Sequence, residues 1–346
     1  MTRLFASAAL CAVLFATTAC AESADNGADV SSEGSDVTTQ GADGSSESSD
    51  VTGGTDVQPD ADGPSVAEAG SPQAVIDAAP DAAWRTVDPE NLLRIRTRTG
   101  MVWVELAPEF APAHVARIRE LARSSYFDFK VFHRVIDGFM AQGGGAPDNP
   151  GITSPLPPLQ AEFTIQRAPD ELNISELQER IINPREDRSR AQAGFWSGFP
   201  AGTLPAAQAF IREDGQVDSW LLHCDGAAAM ARTADPNSAN AQFYIVRGQA
   251  EHLNATYTVW GTVRAGMDAV RAIRVGTVGE TPGFSPDFIM GFHIASDLPE
   301  DERPTVQVFD TDTPDFARYL EALAASNGNS RLPDICEINV PVRVIE

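Results

Sequence analysis

Between residues 21 and 84 the chain has no lysine or arginine, yet it carries 14 carboxylates there. Serine, glycine, alanine, threonine and aspartate fill most of the stretch, so it has too little apolar surface to bury and too much charge to collapse. An acidic disordered linker is expected over residues 21–85, with Gly34-Ser35-Asp36-Val37-Thr38 and Ser49-Asp50-Val51-Thr52-Gly53 as low-complexity echoes and no structural repeat. Most of the formal net charge of −24 lies in this segment, where it reads as solvation and extension and gives no sign of a binding face. No basic patch offsets that charge, which excludes nucleic acid as a partner.

Bilayer-length apolar runs and cysteines are also scarce. The apolar run at residues 4–16 follows a single arginine and is too short to span a membrane. It leads into Thr17-Thr18-Ala19-Cys20, so residues 1–20 have the form of a secretory signal ending in small residues. Of four cysteines, Cys11 and Cys20 belong to that signal. The remaining two, Cys224 and Cys336, are compatible in an oxidising compartment with one disulfide, or with two buried free thiols. Neither His133 nor His252 has Cys, His or carboxylate neighbours at ligand spacing, so neither a metal nor another cofactor is expected.

Regular patterning begins near Thr86. Leu93, Ile95 and Thr97 alternate with Arg94, Arg96 and Arg98, the mark of a half-buried strand; Thr99-Gly100 supplies a turn and Val102, Val104 and Leu106 resume the alternation as the second arm of a hairpin. Pro112 suits a first helical position, and Val115, Ile118, Leu121 and Ala122 follow at helical spacing. Two short strands are expected at 131–135 and 139–142 around the Asp137-Gly138 turn, and a second short helix at 267–273. Strands in the majority with two short helices fit a closed antiparallel barrel.

The run Phe132-His133-Arg134-Val135-x-x-Gly138-Phe139-Met140-x-Gln142-Gly143-Gly144 sets one cation and one amide among large apolar side chains. That mixture suits a pocket that grips an apolar ring and hydrogen-bonds the amide beside it. Proline in a peptide is such a ligand. Met230-Ala231-Arg232-Thr233, Gln242-Phe243-Tyr244-Ile245-Val246, Leu253 and Tyr257-Thr258-Val259-Trp260-Gly261 add a second set of the same character. With these residues the chain resembles the cyclophilins, the family of peptidyl-prolyl cis-trans isomerases, over roughly residues 92–275.

The resemblance implies a mainly β fold, a closed eight-stranded antiparallel β-barrel capped by two α-helices, and a substrate class of proline-containing unfolded or partly folded polypeptides. It implies Arg134 as the catalytic residue, donating toward the prolyl nitrogen. Phe139, Met140, Tyr244 and Leu253 match positions that wall the proline pocket, Gln142 and Gln242 match the glutamines that bind substrate backbone, and Ala231 matches a backbone that lines the groove. His252 stands where many members carry Trp and Tyr257 where many carry His, changes that point to the bacterial branch and to weak cyclosporin binding. Tyr244 replaces the usual Phe, so its hydroxyl needs a partner or water. Arg232, in place of a common Asn, either tunes preference for residues flanking the proline or is a solvated loop cation. His133 has no proton to take in an isomerisation.

Two departures from the family are large. One is an insertion at about 167–223, where Ser175-Glu176-Leu177-Gln178 reads as a capping box and 206–211 as an apolar stretch, so two extra helices are expected, with Phe195-Trp196-Ser197-Gly198-Phe199-Pro200 as an aromatic turn between them. The other is a C-terminal extension at about 280–346, in which Phe316, Tyr319, Leu320 and Leu323 form a helical face and 340–345 a last strand expected to close the barrel. A single domain over 86–346 and a monomer are expected. Cys20 after small residues resembles the bacterial lipobox, in which that cysteine is lipidated, although Thr17 stands where the pattern prefers Leu; cleavage after Ala19 and an uncleaved anchor are the alternatives. The implied role is an exported, periplasmic or cell-envelope isomerase held to the membrane by lipid; a non-catalytic peptide-binding module or chaperone on the same scaffold is the rival.

Overall fold

The alternation around Ile95 becomes an antiparallel hairpin, β2 (Leu92–Thr97) against β3 (Gly100–Leu106), in a computed structural model that describes residues 70–345 apart from Leu172 and Asn329. The expected signal segment, Cys20 and the linker as far as residue 69 lie outside the described residues. Around the hairpin grows an antiparallel sheet of nine strands, in the order β14 (Gly276–Thr277), β4 (Arg134–Ile136), β5 (Met140–Gly143), β12 (Phe243–Val246), β11 (Ala227–Met230), β13 (Val259–Ala265), β3, β2 and β15 (Ile289–Ile294). Period-2 alternation turns Ile95, Val104, Ala141, Phe243, Ile245 and Trp260 to one face, where α2 (Pro112–Arg123) and α3 (Met267–Arg271) pack on them through Val115, Ile118, Leu121 and Val270. The sheet curls. Phe132 N donates to Asp287 O at 2.9 Å, Ile289 N donates to Lys130 O at 2.7 Å, and Val131 bridges Phe288, which ties the chain entering β15 to the chain entering β4.

Strand and helix numbers differ from the expected eight and two. The described residues contain nine strands in this sheet and four α-helices, because a two-residue edge strand, β14, pairs with β4 and because the other two helices, α1 (Pro72–Ala78) and α4 (Pro314–Ser326), belong to a separate layer. Helix α1 also corrects the expected linker boundary at residue 85. Ser71 Oγ accepts from Ala74 N at 3.2 Å and caps it, Pro72 opens it, and it lies against α4. Val75, Ile76 and Trp84 are few apolar residues in an acidic context, and the core they join lies far along the chain: α1 packs on α4, and the Trp84 ring lies 4.8 Å from that of Phe309 in β16, beyond the reach of local composition.

The insertion is β, not helical. It forms a five-stranded sheet in the order β6 (Ile165–Arg167), β10 (Val217–Leu221), β9 (Phe199–Thr203), β8 (Asp187–Trp196) and β7 (Ser175–Asn183). Ser175 does not cap a helix; it lies opposite Phe195 in the β7–β8 ladder, and Gln178 spends its amide on Pro333 O and Ile335 N of the C-terminal extension. Ala206–Phe210 is one 3₁₀ turn that leaves Phe210 and Ile211 exposed, so it has no buried face to extend it. Ser197 and Gly198, with φ of 46° and 77°, make the two-residue hairpin turn between β8 and β9.

The last strand, β17 (Val342–Ile345), does not close the barrel. It pairs with β16 (Thr305–Phe309), which pairs with β1 (Trp84–Thr86), in a three-stranded sheet where Val306 and Val308 are buried with Val342 packed beside them. A second core forms here from Trp84, Phe195, Trp220, Phe309, Phe316, Tyr319 and Ile335. Two links, one covalent and one ionic, fix it to the nine-stranded sheet. Cys224, just before β11, and Cys336 form a disulfide with Cα atoms 4.9 Å apart. Glu105 of β3 takes Arg85 of β1 at 2.7 Å and Arg264 of β13 at 2.6 Å, and these arginines donate to Ser197 O and Gly198 O at the insertion's turn. Burial acts to raise the Glu105 carboxyl, but Arg264 and Arg85 outweigh it and hold it below the usual range.

Candidate active site

The outer face of the curled sheet carries the residues that the inner core rejects. In the β4–β5–β12 ladder Arg134 lies opposite Gln142, and Gln142 opposite Tyr244, so one row across three strands presents a cation, an amide and an aromatic ring on the same side. Phe139 and Met140 follow the Asp137-Gly138 turn, where Gly138 has a φ of 66°. Part of this outer face is covered by the insertion through Ile174, Phe199 and Leu221. The uncovered part is a groove of about 170 Å³ lined by Arg134, Phe139, Met140, Gln142, Ala231, Arg232, Tyr244, Leu253 and Tyr257.

Eight of the ten residues expected at the site therefore line one cavity. Gln242 lies one step along, in an adjoining depression that shares Gln142, Ala231 and Arg232. Its Nε2 donates to Pro150 O at 2.8 Å and Ile152 O at 3.1 Å, and its Oε1 accepts from Gln142 Nε2 at 3.2 Å, which orients Gln142 toward the groove. His252 is not among the residues lining the cavity; its ring packs against that of Phe139, 5.4 Å between centroids. Burial, and then Arg185, lower its pKa.

Arg134 is half-buried, and among the described residues no carboxylate meets its guanidinium. Its one close polar neighbour is Met140 Sδ, 3.9 Å from Nη1, a weak acceptor. The donors of this cation are therefore left facing a groove walled by apolar side chains, where a hydrogen bond to a ligand gains strength from the low local dielectric.

Tyr244 keeps its ring in the wall and turns its hydroxyl away from the groove to His223 Nε2 at 3.0 Å. On its other side His223 Nδ1 meets Asn254 Oδ1 at 3.3 Å. Asn254 Oδ1 only accepts, so Nδ1 carries the proton and Nε2 accepts from the tyrosine. Burial pushes the His223 pKa down to about 3 and the Tyr244 hydroxyl well above its ordinary value, so both stay neutral. Nothing adjacent to His223 in the chain marks its partner 21 positions on, so the sequence carries no signal for this pair. Arg232 is a wall residue: Nε and Nη2 donate to Thr256 O at 3.2 and 2.9 Å, and its guanidinium lies 4.2 Å over the Tyr257 ring.

A model of the family described as cyclophilin type peptidyl-prolyl cis-trans isomerase/CLD matches residues 92–292. Among curated proteins, the chain is similar to a probable peptidyl-prolyl cis-trans isomerase of Brucella suis, 33% identical over 214 residues, which is 61% of this chain and 85% of that one. It is also similar to the peptidyl-prolyl cis-trans isomerase cyp18 of Streptomyces antibioticus, 28% identical over 56% of this chain and 89% of that one. Among solved structures, cyclophilin AquaCyp293 from Hirschia baltica matches with a TM-score of 0.65 and 35% identity, covering 79% of this chain and 97% of that one. That likeness takes in more of the chain than residues 92–292, so it extends into the added segments.

Proposed function

The chain belongs to the cyclophilin-type peptidyl-prolyl cis-trans isomerases, and from that premise we propose that the groove beside Arg134 isomerises X-Pro bonds in unfolded or partly folded proteins of the cell envelope. An X-Pro amide exchanges slowly because the nitrogen lone pair is delocalised over the carbonyl. Phe139, Met140, Tyr244 and Leu253 hold the proline ring, Gln142 takes the flanking backbone, and Arg134 donates toward the prolyl nitrogen as the amide twists. Donation there localises the lone pair, so the interaction strengthens in the twisted state and lowers the barrier without proton transfer or a covalent intermediate. The observation that carries this reading is the unspent guanidinium among apolar walls. Closure of the curled sheet into a barrel is part of the same reading, supported by the Val131–Phe288 bridge.

The decisive comparison is isomerisation of a short X-Pro peptide by the wild type and by Arg134→Ala. Loss of one donor aimed at a transition state costs on the order of 100-fold in rate. Arg134→Ala with undiminished activity would sink the assignment, and a folded wild type that accelerates nothing would leave peptide binding alone. Export and lipid attachment at Cys20 place the enzyme in the cell envelope in this proposal, with the acidic segment as its tether. Cys20→Ser should then release the protein from the membrane fraction of cells; retention there would refute the anchor.

A further inference from the structure

One contact of the insertion with the groove's wall segment is a buried amide. Asn183 ends β7, is fully buried, and uses every hydrogen-bonding position of its side chain. Oδ1 accepts from Arg185 N at 2.9 Å and Glu186 N at 3.1 Å, which forms the turn into β8. Nδ2 donates to His252 O and to Asn254 O, both at 2.9 Å. Those two carbonyls flank Leu253, whose side chain lines the groove.

The segment clamped in this way is weak by itself. Glu251–Leu253 is a 3₁₀ turn of three residues, supported locally by Leu253 N to Ala250 O and Asn254 N to Glu251 O. From the insertion, Arg180 pairs with Glu251 and, at 3.0 Å, with Asp334 of the C-terminal extension. From the strand side, His223 N donates to Asn254 Oδ1 at 2.9 Å. The wall that seats the proline ring is thus held by residues about 70 positions away in the chain. A buried amide that satisfies four partners contributes little net stability, because the same bonds are made to water in the unfolded chain. What it does supply is one fixed geometry, and a wall misplaced by about 1 Å is enough to change turnover severely.

We propose that Asn183 is a positioning residue of the isomerase: through the carbonyls of His252 and Asn254 it sets Leu253 against the substrate proline, and so makes affinity for X-Pro peptides depend on the insertion. This inference rests on the isomerase reading. It separates the wall, which governs how well proline is held, from Arg134, which governs the twist.

The test compares full-length wild type with Asn183→Asp and Glu251→Gln, measuring kcat and KM for a short X-Pro peptide by exchange spectroscopy. Asn183→Asp keeps the acceptor that forms the turn but turns a carboxylate toward two carbonyls. The expected result is a KM raised about tenfold with kcat within about threefold of wild type, and amide signals of residues 251–256 broadened while those of β4 and β5 stay sharp. Glu251→Gln releases the partly exposed Arg180 contact and should raise KM about twofold to threefold; it carries the test if Asn183→Asp fails to fold. Wild-type kcat and KM in a folded Asn183→Asp, or in Glu251→Gln where Asn183→Asp does not fold, would overturn the proposal. A proportional fall in active fraction without a change in KM would overturn it equally. Should the wild type bind the peptide without turning it over, the isomerase reading fails; the same shifts are then read in peptide Kd, and an unchanged Kd refutes the clamp.

Discussion

The core under the nine-stranded sheet takes its buried residues from a span between Leu93 and Ile294 and closes on helices that follow their strands directly, whereas the second core takes Trp84 from the start of the folded part, Phe195 and Trp220 from its middle, and Phe309, Phe316 and Ile335 from its end. In the first, a tight turn between β4 and β5 sets Arg134 opposite Gln142, and the pairing of β5 with β12 adds Tyr244 to the row. In the second, each segment exposes apolar surface until the other two arrive. The difference teaches that the groove has two kinds of support. Its cation and glutamine rest on local ladders, while Leu253 and the underside of Tyr244 rest on contacts that exist only when remote segments have met.

The largest expected effect comes from cutting the covalent link between the C-terminal extension and the chain entering β11. Cys224 and Cys336 are separated by 112 positions. Closing a loop of roughly 100 residues stabilises by about 4.7 kcal/mol in the chain-entropy account, so Cys336→Ser should lower the denaturation midpoint accordingly. If the second core is a support for the groove, X-Pro turnover should weaken at temperatures where the wild type is unaffected; if it is an appendage, only the midpoint moves.

Next in size is Glu105→Gln. It leaves Arg264, deeply buried, without the carboxylate that holds it, and truncating one partner of a buried pair costs about 3–5 kcal/mol. Chemical denaturation should show that loss, with Arg134-dependent rate per folded molecule unchanged. A loss below about 1 kcal/mol would mean that the shared carboxylate is no joint between the cores.

The smallest effect is read by pH. Folded His223 stays neutral down to about pH 3, while an unfolded chain protonates that residue near its ordinary value of 6.5. The unfolded state therefore binds more protons between those limits, stability rises with pH across the window, and it falls by up to about 1.4 kcal/mol per unit as the solution is acidified below 6.5. His133 and His252, whose pKa values are also lowered by burial, add slopes of the same sign. His223→Gln should reduce the slope between about pH 4.5 and 6.5, and an unchanged slope would show that the residue beneath Tyr244 is not held neutral.

Legibility in the sequence followed the same division. The β2–β3 hairpin, helix α2 and the walls of the groove were readable because each depends on alternation, helical spacing or a motif within a few residues. The Ser175 pattern misled because a capping box needs its own glutamine, and Gln178 is engaged 155 positions away with Pro333. The last strand misled because alternation fixes which face of a strand is buried and is silent about its partner; here Val342 pairs with Val308.

By itself the sequence determined the family, the chemistry of the groove and the pair of short strands that carry Arg134 and Gln142, since those strands are patterned within reach of the Asp137-Gly138 turn, whereas the pairing of Tyr244 with Gln142 joins strands about 100 positions apart. Only the tertiary structure decided that the insertion is a sheet, that His223 receives the hydroxyl of Tyr244, and that Asn183 clamps the two carbonyls beside Leu253. Those outcomes depend on hydrogen-bond partners tens of residues apart, and a buried amide or imidazole takes whichever partner the packed chain brings to it.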